Sequence, residues 1–161
     1  VNLPDGIKII RGRVFANNEI SEVNFGSYEN VTARRWGRSD TLPTELAGRM
    51  IAYGMFAYNK LEHINLPTNI WAIGSYAFIG NDIKSLQIPS SVTNIYQNAF
   101  DSNKNLTTLE FLTDENGNGV AQIDYRAFAD CAIEGHLSFP SNINEMGGYT
   151  FANNKITTVM T

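Results

Sequence analysis

Six of the chain's phenylalanines recur with the same neighbours around them. An Ile or Met stands five residues before each one, and an Asn or, once, a Cys stands three residues after it. The six are Phe15, Phe56, Phe78, Phe100, Phe128 and Phe151, separated by 41, 22, 22, 28 and 23 residues. Repeats of about 20 to 50 residues are typical of solenoids, in which stacked coils share one continuous core. The sequence therefore predicts a stack of coils.

Each repeat contains three segments with different patterns. Leu61-x-x-Ile64-x-Leu66-Pro67 alternates like a strand, and the Pro ends it because Pro lacks a ladder N–H. Ile70-x-x-Ile73 crosses the opposite side of the coil, and Ala77-Phe78-x-x-Asn81 predicts a short helical turn. We expect about six coils, with parallel strands on one face and short second strands and helical turns on the others.

Aligned repeats assign the aromatic residues and the single cysteine to structural columns. All nine Phe belong to the core, because Phe25, Phe111 and Phe139 take the third apolar place of the strand segment. Asn carries both a donor and an acceptor, so the Asn column can satisfy backbone groups where the coil turns. Cys131 stands in that column. We therefore expect Cys131 to be structural and not a nucleophile.

The repeat resembles a known protein family. The Leu-Pro end of the strand and the Ala-Phe-x-x-Asn pattern, seen at Leu66-Pro67 and Ala99-Phe100-x-x-Asn103, are similar to the BspA-like leucine-rich repeat. The resemblance implies a leucine-rich repeat solenoid of α/β or β-rich class. It also implies an extracellular or cell-surface protein that binds host proteins, matrix proteins or other cells. Gly26 and Leu112 depart from the pattern, since Pro is expected at both positions.

Composition sets the outer limits on the fold and its partners. A chain of 161 residues fits one solenoid domain over residues 1–161, which we expect to be part of a longer surface protein. Two insertions interrupt the repeat, near 27–41 and 114–119. The net charge of −4 argues against nucleic-acid binding. The sequence contains no run of about 18 apolar residues, so we do not expect direct membrane insertion.

The two histidines do not predict a metal or acid–base site. His63 and His136 both face outward from strand segments, and they lie three coils apart. At about 4.8 Å per strand that separation is roughly 14–15 Å, whereas ligands of one zinc ion lie within about 2.1 Å of it. With no catalytic constellation elsewhere, we expect neither an enzyme nor a cofactor.

The outward side of the strand segments is the first candidate for partner contact. Its polar residues suit either a broad protein contact or plain solvation. They include Glu62, His63, Asn65, Lys84, Gln87, Glu110 and His136.

The first insertion is the second candidate, because Arg and Trp are enriched in interaction hot spots. It contains Arg34, Arg35, Trp36 and Arg38. The alternative is that Trp36 covers a coil while the arginines are solvated. Near the turns, an aromatic edge predicts either packing between coils or contact with protein or glycan. It comprises Tyr53, Trp71, Tyr76, Tyr96, Tyr125 and Tyr149.

The second insertion offers a turn and, as a weaker interpretation, a calcium loop. Asp114, Asn116 and Asn118 precede Gly119 with the spacing of the first half of a calcium-binding loop. The twelfth position is Tyr125 and not the Glu that such loops require. Asn-Gly is also a strong turn signal, so we favour a hairpin-like turn.

These features favour a non-enzymatic binding or adhesion module of a secreted or cell-surface protein. We expect it to bind a host, matrix or other surface protein, in preference to a glycan, through the strand face and the insertion loops. The competing hypothesis is a structural spacer that displays other domains away from the cell surface.

Overall fold

The computed structural model describes residues 1–5, 7, 9–26, 28, 32–33 and 49–160. In these ranges the chain forms a solenoid whose coils are joined by parallel strands. The strands are β1 (Ile9–Ile10), β2 (Thr32–Ala33), β3 (Met50–Ile51), β4 (Ala72–Ile73), β5 (Ser85–Ile88), β6 (Asn94–Ile95), β7 (Thr108–Phe111), β8 (Gln122–Ile123), β9 (Glu134–Ser138), β10 (Glu145–Met146) and β11 (Lys155–Met160). The predicted fold class is confirmed.

The short second strands form the longest sheet. Its order is β10-β8-β6-β4-β3, so successive coils contribute successive neighbours. The repeat column is kept in register, because Ile73 pairs with Ile51 on one side and with Ile95 on the other. An apolar residue at this place in the repeat is therefore stacked on its counterpart in the next coil.

The longer strands carry the predicted alternation. In β5, Leu86 and Ile88 are buried while Ser85 and Gln87 are exposed. Strand β7 shows the same pattern, and the parallel register places Thr108 beside Ser85. One face of these strands therefore fills the core, and the other presents aligned polar side chains to solvent.

The turn that contains each Phe differs from the expected helical turn. Two residues per coil, one two places before the Phe and one two places after it, have positive φ. These residues are Arg13, Asn17, Gly54, Tyr58, Tyr76, Gly80, Asn98, Ser102, Arg126, Asp130, Tyr149 and Asn153. Residues of a right-handed helix have negative φ, so two residues with positive φ exclude a regular helix here. The described part of the chain forms turns instead.

Alternate N–H groups of each turn donate hydrogen bonds to the next coil. The N–H groups of Tyr76, Phe78 and Gly80 donate to three carbonyls of the following coil at 2.8 to 3.0 Å. The amide of Ala77, between them, bonds within its own coil, to Gly74 at 3.2 Å. The turns therefore link the coils by main-chain bonds, as the strands do on the other sides.

The six repeated phenylalanines form a continuous stack through the core. Adjacent ring centroids lie 5.2 to 5.7 Å apart, and adjacent ring planes are within 10° of parallel. Phe56, Phe78, Phe100 and Phe128 are fully buried. Phe15 and Phe151, at the ends, are half-buried. All nine Phe contribute to the core as predicted, with Phe25, Phe111 and Phe139 packed beside the stack.

The asparagine column also has its predicted role. Asn81 Nδ2 donates to the carbonyls of Phe78 at 3.0 Å and Phe56 at 2.9 Å, while its Oδ1 accepts the N–H of Leu61 at 3.1 Å. Asn59, Asn103 and Asn154 make the same three kinds of bond. Each side chain thus joins two coils through backbone groups that would otherwise be buried without partners.

Part of the first predicted insertion belongs to the coil stack. Strand β2 pairs in parallel with β1, and Ile9 lies opposite Thr32. Tyr28 is buried, with its ring edge-on to Phe25 at 5.5 Å and its hydroxyl donating to the carbonyl of Met50 at 3.1 Å. This segment therefore adds to the core, which the repeat alignment did not predict.

We expect the stability of the solenoid to depend on the centre of the phenylalanine stack. Phe100→Ala removes a fully buried ring between two others, so it should lower the free energy of unfolding by about 3–5 kcal/mol. Phe151→Ala is the matched control, because that ring is half-buried with one stacked neighbour. Urea denaturation measures both. Equal losses would contradict a contribution from stacking within the core.

A second substitution tests the asparagine column. Asn103→Ala leaves two carbonyls and one N–H of the buried backbone without their side-chain partner. Since each unsatisfied buried group costs about 1–3 kcal/mol, we expect a loss of at least about 2 kcal/mol by the same measurement. Asn18→Ala is the control, because exposed Asn18 bonds only to carbonyls of its own coil. A loss at Asn103 no larger than at Asn18 would refute the inter-coil role.

Candidate functional site

A groove crosses the outward side of three consecutive coils on the strand face, the surface formed by the exposed side chains of β5, β7 and the matching residues 63–66. Its volume is about 360 Å³. It is lined by His63, Ile64, Asn65, Leu66, Thr68, Ser85, Leu86, Gln87, Pro89, Thr108, Glu110 and Leu112. The groove exists because the coils are in register, so equivalent outward positions lie side by side.

Polar groups of neighbouring coils pair along this surface. Gln87 Nε2 donates to Glu110 Oε2 at 2.7 Å across the β5–β7 pair. Next to the groove in sequence, Lys84 Nζ lies 2.5 Å from Glu62 Oε2. The hydrogen bond from Lys84 and its charge hold the pKa of the Glu62 carboxyl below its usual range. The charge of Glu62 is therefore neutralised locally, whereas Glu110 is bonded to a neutral amide.

The lining of the groove also includes apolar residues. Of these, Leu66 and Pro89 are buried and Leu112 is 37% exposed. Leu112 occupies the place where the repeat has Pro, and its N–H donates to the carbonyl of Ile88 at 2.9 Å. A Pro could not make this bond. The departure noted in the sequence therefore extends the backbone pairing and places an exposed apolar side chain in the groove.

Among the described residues, the groove contains no hydroxyl that is hydrogen-bonded to a histidine, as a catalytic nucleophile and its base would be. Ser85, Thr108 and His63 all line it, but among the hydrogen bonds of the described residues none joins either hydroxyl to His63. The hydroxyl of Thr108 also makes no bond to Glu110. The lining consists of amides, hydroxyls, one imidazole, one carboxylate and apolar groups, which suits recognition through several modest contacts.

The predicted contact residues fall into three groups. His63, Asn65, Gln87 and Glu110 come together in the groove, with the Glu62–Lys84 pair adjacent. His136 is exposed on β9 but does not line it. Arg34, Arg35, Trp36 and Arg38 lie outside the described residues. Sequence reasoning did not select Ser85, Thr68, Thr108 or Leu112, although the first and third occupy outward strand positions.

The second insertion is a turn closed by its own aspartate. Asp114 Oδ1 accepts the N–H groups of Asn116 and Asn118, each at 2.8 Å, and these bonds lower the pKa of the Asp114 carboxyl. Gly117 has φ of 79°, as the turn requires. Within the described ranges no three His, Cys, Asp or Glu side chains gather to hold a metal ion. The segment forms a turn, as the sequence predicts, and calcium binding at Asp114, Asn116 and Asn118 stays a prediction.

The aromatic edge packs between coils. Tyr53 contacts Tyr76 edge-on at 5.5 Å, and Tyr125 contacts Tyr149 at 5.9 Å. Trp71 and Tyr96 form a third such pair at 6.5 Å. Each pair joins residues of successive coils, which supports packing as the main role of this edge.

A charged cluster that the sequence did not single out lies on the turn side. Arg126 Nε donates to Asp101 at 2.9 Å, and its Nη2 bonds to Asp130 four residues later. Asn98 and Asn153 donate to the same two carboxylates at 2.6 Å. The bonds from Asn153 and Arg126 lower the pKa of Asp130. Since these carboxylates are bonded to neighbouring side chains, we interpret the cluster as a link between coils.

Cys131 takes the place of Asn in the turn column. Its Sγ lies 3.4 Å from the carbonyl of Phe100, and burial raises its pKa to about 12. An Asn at position 131 would accept a hydrogen bond from the Leu106 N–H through its side-chain oxygen. With Cys at this position, the Leu106 N–H donates to the carbonyl of Asn103 at 3.0 Å. The structural role predicted for this thiol fits its surroundings, because a nucleophilic cysteine is exposed and has a lowered pKa.

Comparison with known proteins gives one family match and one similar solved structure. The model of the BspA type leucine-rich repeat region matches residues 48–161 in six copies. A leucine rich cell surface protein from Faecalibacterium prausnitzii A2-165 is similar in structure, with 23% identity and a TM-score of 0.45. The alignment covers 88% of this chain and 46% of that one, so this chain spans less than half of its length. No curated protein matches the sequence. Among the described residues there is no helix with the length and apolar character to cross a membrane.

We expect Cys131 to resist thiol reagents until the chain unfolds. At about pH 8 the buried thiol should react at least about 100-fold more slowly in the folded protein than in concentrated guanidinium, where its pKa returns to about 8.5. Ellman's reagent measures both rates, with glutathione as the reference thiol. Rapid labelling of the folded protein would contradict the structural assignment.

Proposed function

Because the chain belongs to the BspA-type leucine-rich repeat family, we propose that it is a non-enzymatic protein-binding module of a secreted or cell-surface protein. We infer that it acts as a single solenoid domain and binds its partner through the strand-face groove. The observation that carries this proposal is the groove itself, in which exposed side chains of three coils converge around a volume of about 360 Å³. The family resemblance supports a surface location.

The way the groove is supported favours binding. Backbone pairing fixes the register of β5 and β7, and their inward residues Leu86 and Leu109 belong to the packed core. The bond from Gln87 to Glu110 further orders the surface side chains. A surface held in one arrangement before binding loses less conformational entropy on association. The groove residues are thus arranged for contact before a partner arrives.

A bulky substitution in the groove tests the proposal. The wild-type chain is screened by surface plasmon resonance against immobilised extracellular-matrix proteins and polysaccharides, and each bound protein is tested with Ser85→Tyr. Since Ser85 is exposed and lines the groove, the added ring should fill it without disturbing the core. We expect the affinity to fall at least about tenfold, which corresponds to about 1.4 kcal/mol.

Thr158→Tyr is the matched control. Thr158 is exposed and pairs with His136 on the same face. It therefore lies two coils beyond the last coil of the groove. We expect this variant to bind as the wild type does. Equal losses in both variants would show that the groove is not the binding site. Failure of the wild type to bind any protein of the panel would favour the spacer hypothesis.

A further inference from the structure

We propose that the groove binds a cationic side chain, Arg or Lys, presented by an exposed segment of the partner protein. This inference rests on the proposed function and adds the chemical class of the partner. Its two elements are the carboxylate of Glu110 and the exposed apolar side chain of Leu112, two residues further along.

The charges around the groove favour a cation. The two carboxylates on this part of the strand face are not equivalent, because Lys84 neutralises Glu62 while Glu110 forms no ion pair with any described residue. Gln87 holds Glu110 through one oxygen and leaves its charge uncompensated. The groove therefore contains one carboxylate, that of Glu110, which no described cationic side chain neutralises.

The position of that charge favours Arg or Lys over a small cation. Leu112 follows Glu110 by two residues and is exposed, whereas Leu66 and Pro89 line the groove as buried residues. Arg and Lys combine an aliphatic stem with a charged end, so the stem can cover the exposed apolar side chain while the end bonds to a carboxylate. An inorganic ion would satisfy the carboxylate and leave Leu112 in water.

The groove crosses coils, which favours a segment of a protein over an isolated amino acid. Its lining contains polar side chains from three coils, including Asn65, Ser85 and Thr108. A neighbouring part of the same partner segment can form hydrogen bonds with these groups. Several modest contacts around one charged anchor are a common arrangement in protein interfaces.

The experiment is a selection from a display library of short random peptides against the full 161-residue chain. Peptides whose binding is lost with Ser85→Tyr are retained and sequenced. We expect Arg or Lys to be enriched at one position. In synthetic versions, replacing that Arg by citrulline or acetylating that Lys should weaken binding at least about tenfold, because the charge is removed while the shape is largely kept.

Glu110→Gln identifies the carboxylate concerned. This variant should weaken the cationic peptide by a similar factor and should abolish the difference between the charged and neutral peptides, as a double-mutant cycle requires. Glu134→Gln is the matched control, because Glu134 is exposed on β9 and does not line the groove. It should leave both affinities unchanged. Circular dichroism of each variant confirms that the fold is retained.

The outcomes separate this inference from the function on which it rests. Peptides that require the open groove but show no preference for Arg or Lys would overturn the inference and leave the binding function standing. An undiminished preference in Glu110→Gln, or a selection that yields no groove-dependent peptide, would also overturn it. Matrix proteins that bind equally well to the wild type and to Ser85→Tyr would instead refute the proposed binding site.

Discussion

Satisfying the backbone where each coil turns is the constraint on which this solenoid depends. The turn must bury its main chain beside a phenylalanine, and buried N–H and C=O groups require partners. In four of the described coils one asparagine supplies three bonds, two to carbonyls and one from an N–H, and spans two coils, as at Asn81. The two residues with positive φ in each turn accompany further N–H groups that bond to the next coil.

Stacking of the coils follows from that arrangement. With the turns bonded in register, the phenylalanine rings lie 5.2 to 5.7 Å apart, and the short strands align equivalent isoleucines. Each coil by itself would expose most of its apolar residues, so burial is gained only between neighbours. The local bonds at the turn and the shared core are consequently parts of one interaction, repeated along the axis.

The same register creates the candidate site. Because equivalent strand positions lie beside one another, Gln87 meets Glu110 and the outward residues of three coils surround one groove. A position outside the consensus adds to it, since Leu112 in place of Pro gives the groove an exposed apolar group. The regular repeat thus provides the frame, and its variable outward residues provide the chemistry.

The sequence by itself determined the solenoid, the strand alternation, the core position of all nine phenylalanines and the bonding role of the asparagine column. These follow from periodicity, because each repeat requires the same burial and the same backbone partners. Only the tertiary structure decided that the turns are left-handed at two places per coil, that Arg126 links Asp101 with Asp130, and that Tyr28 is buried. It also selected four of the predicted contact residues for the groove and left His136 outside it. These features depend on distances between coils, which a one-dimensional pattern does not contain.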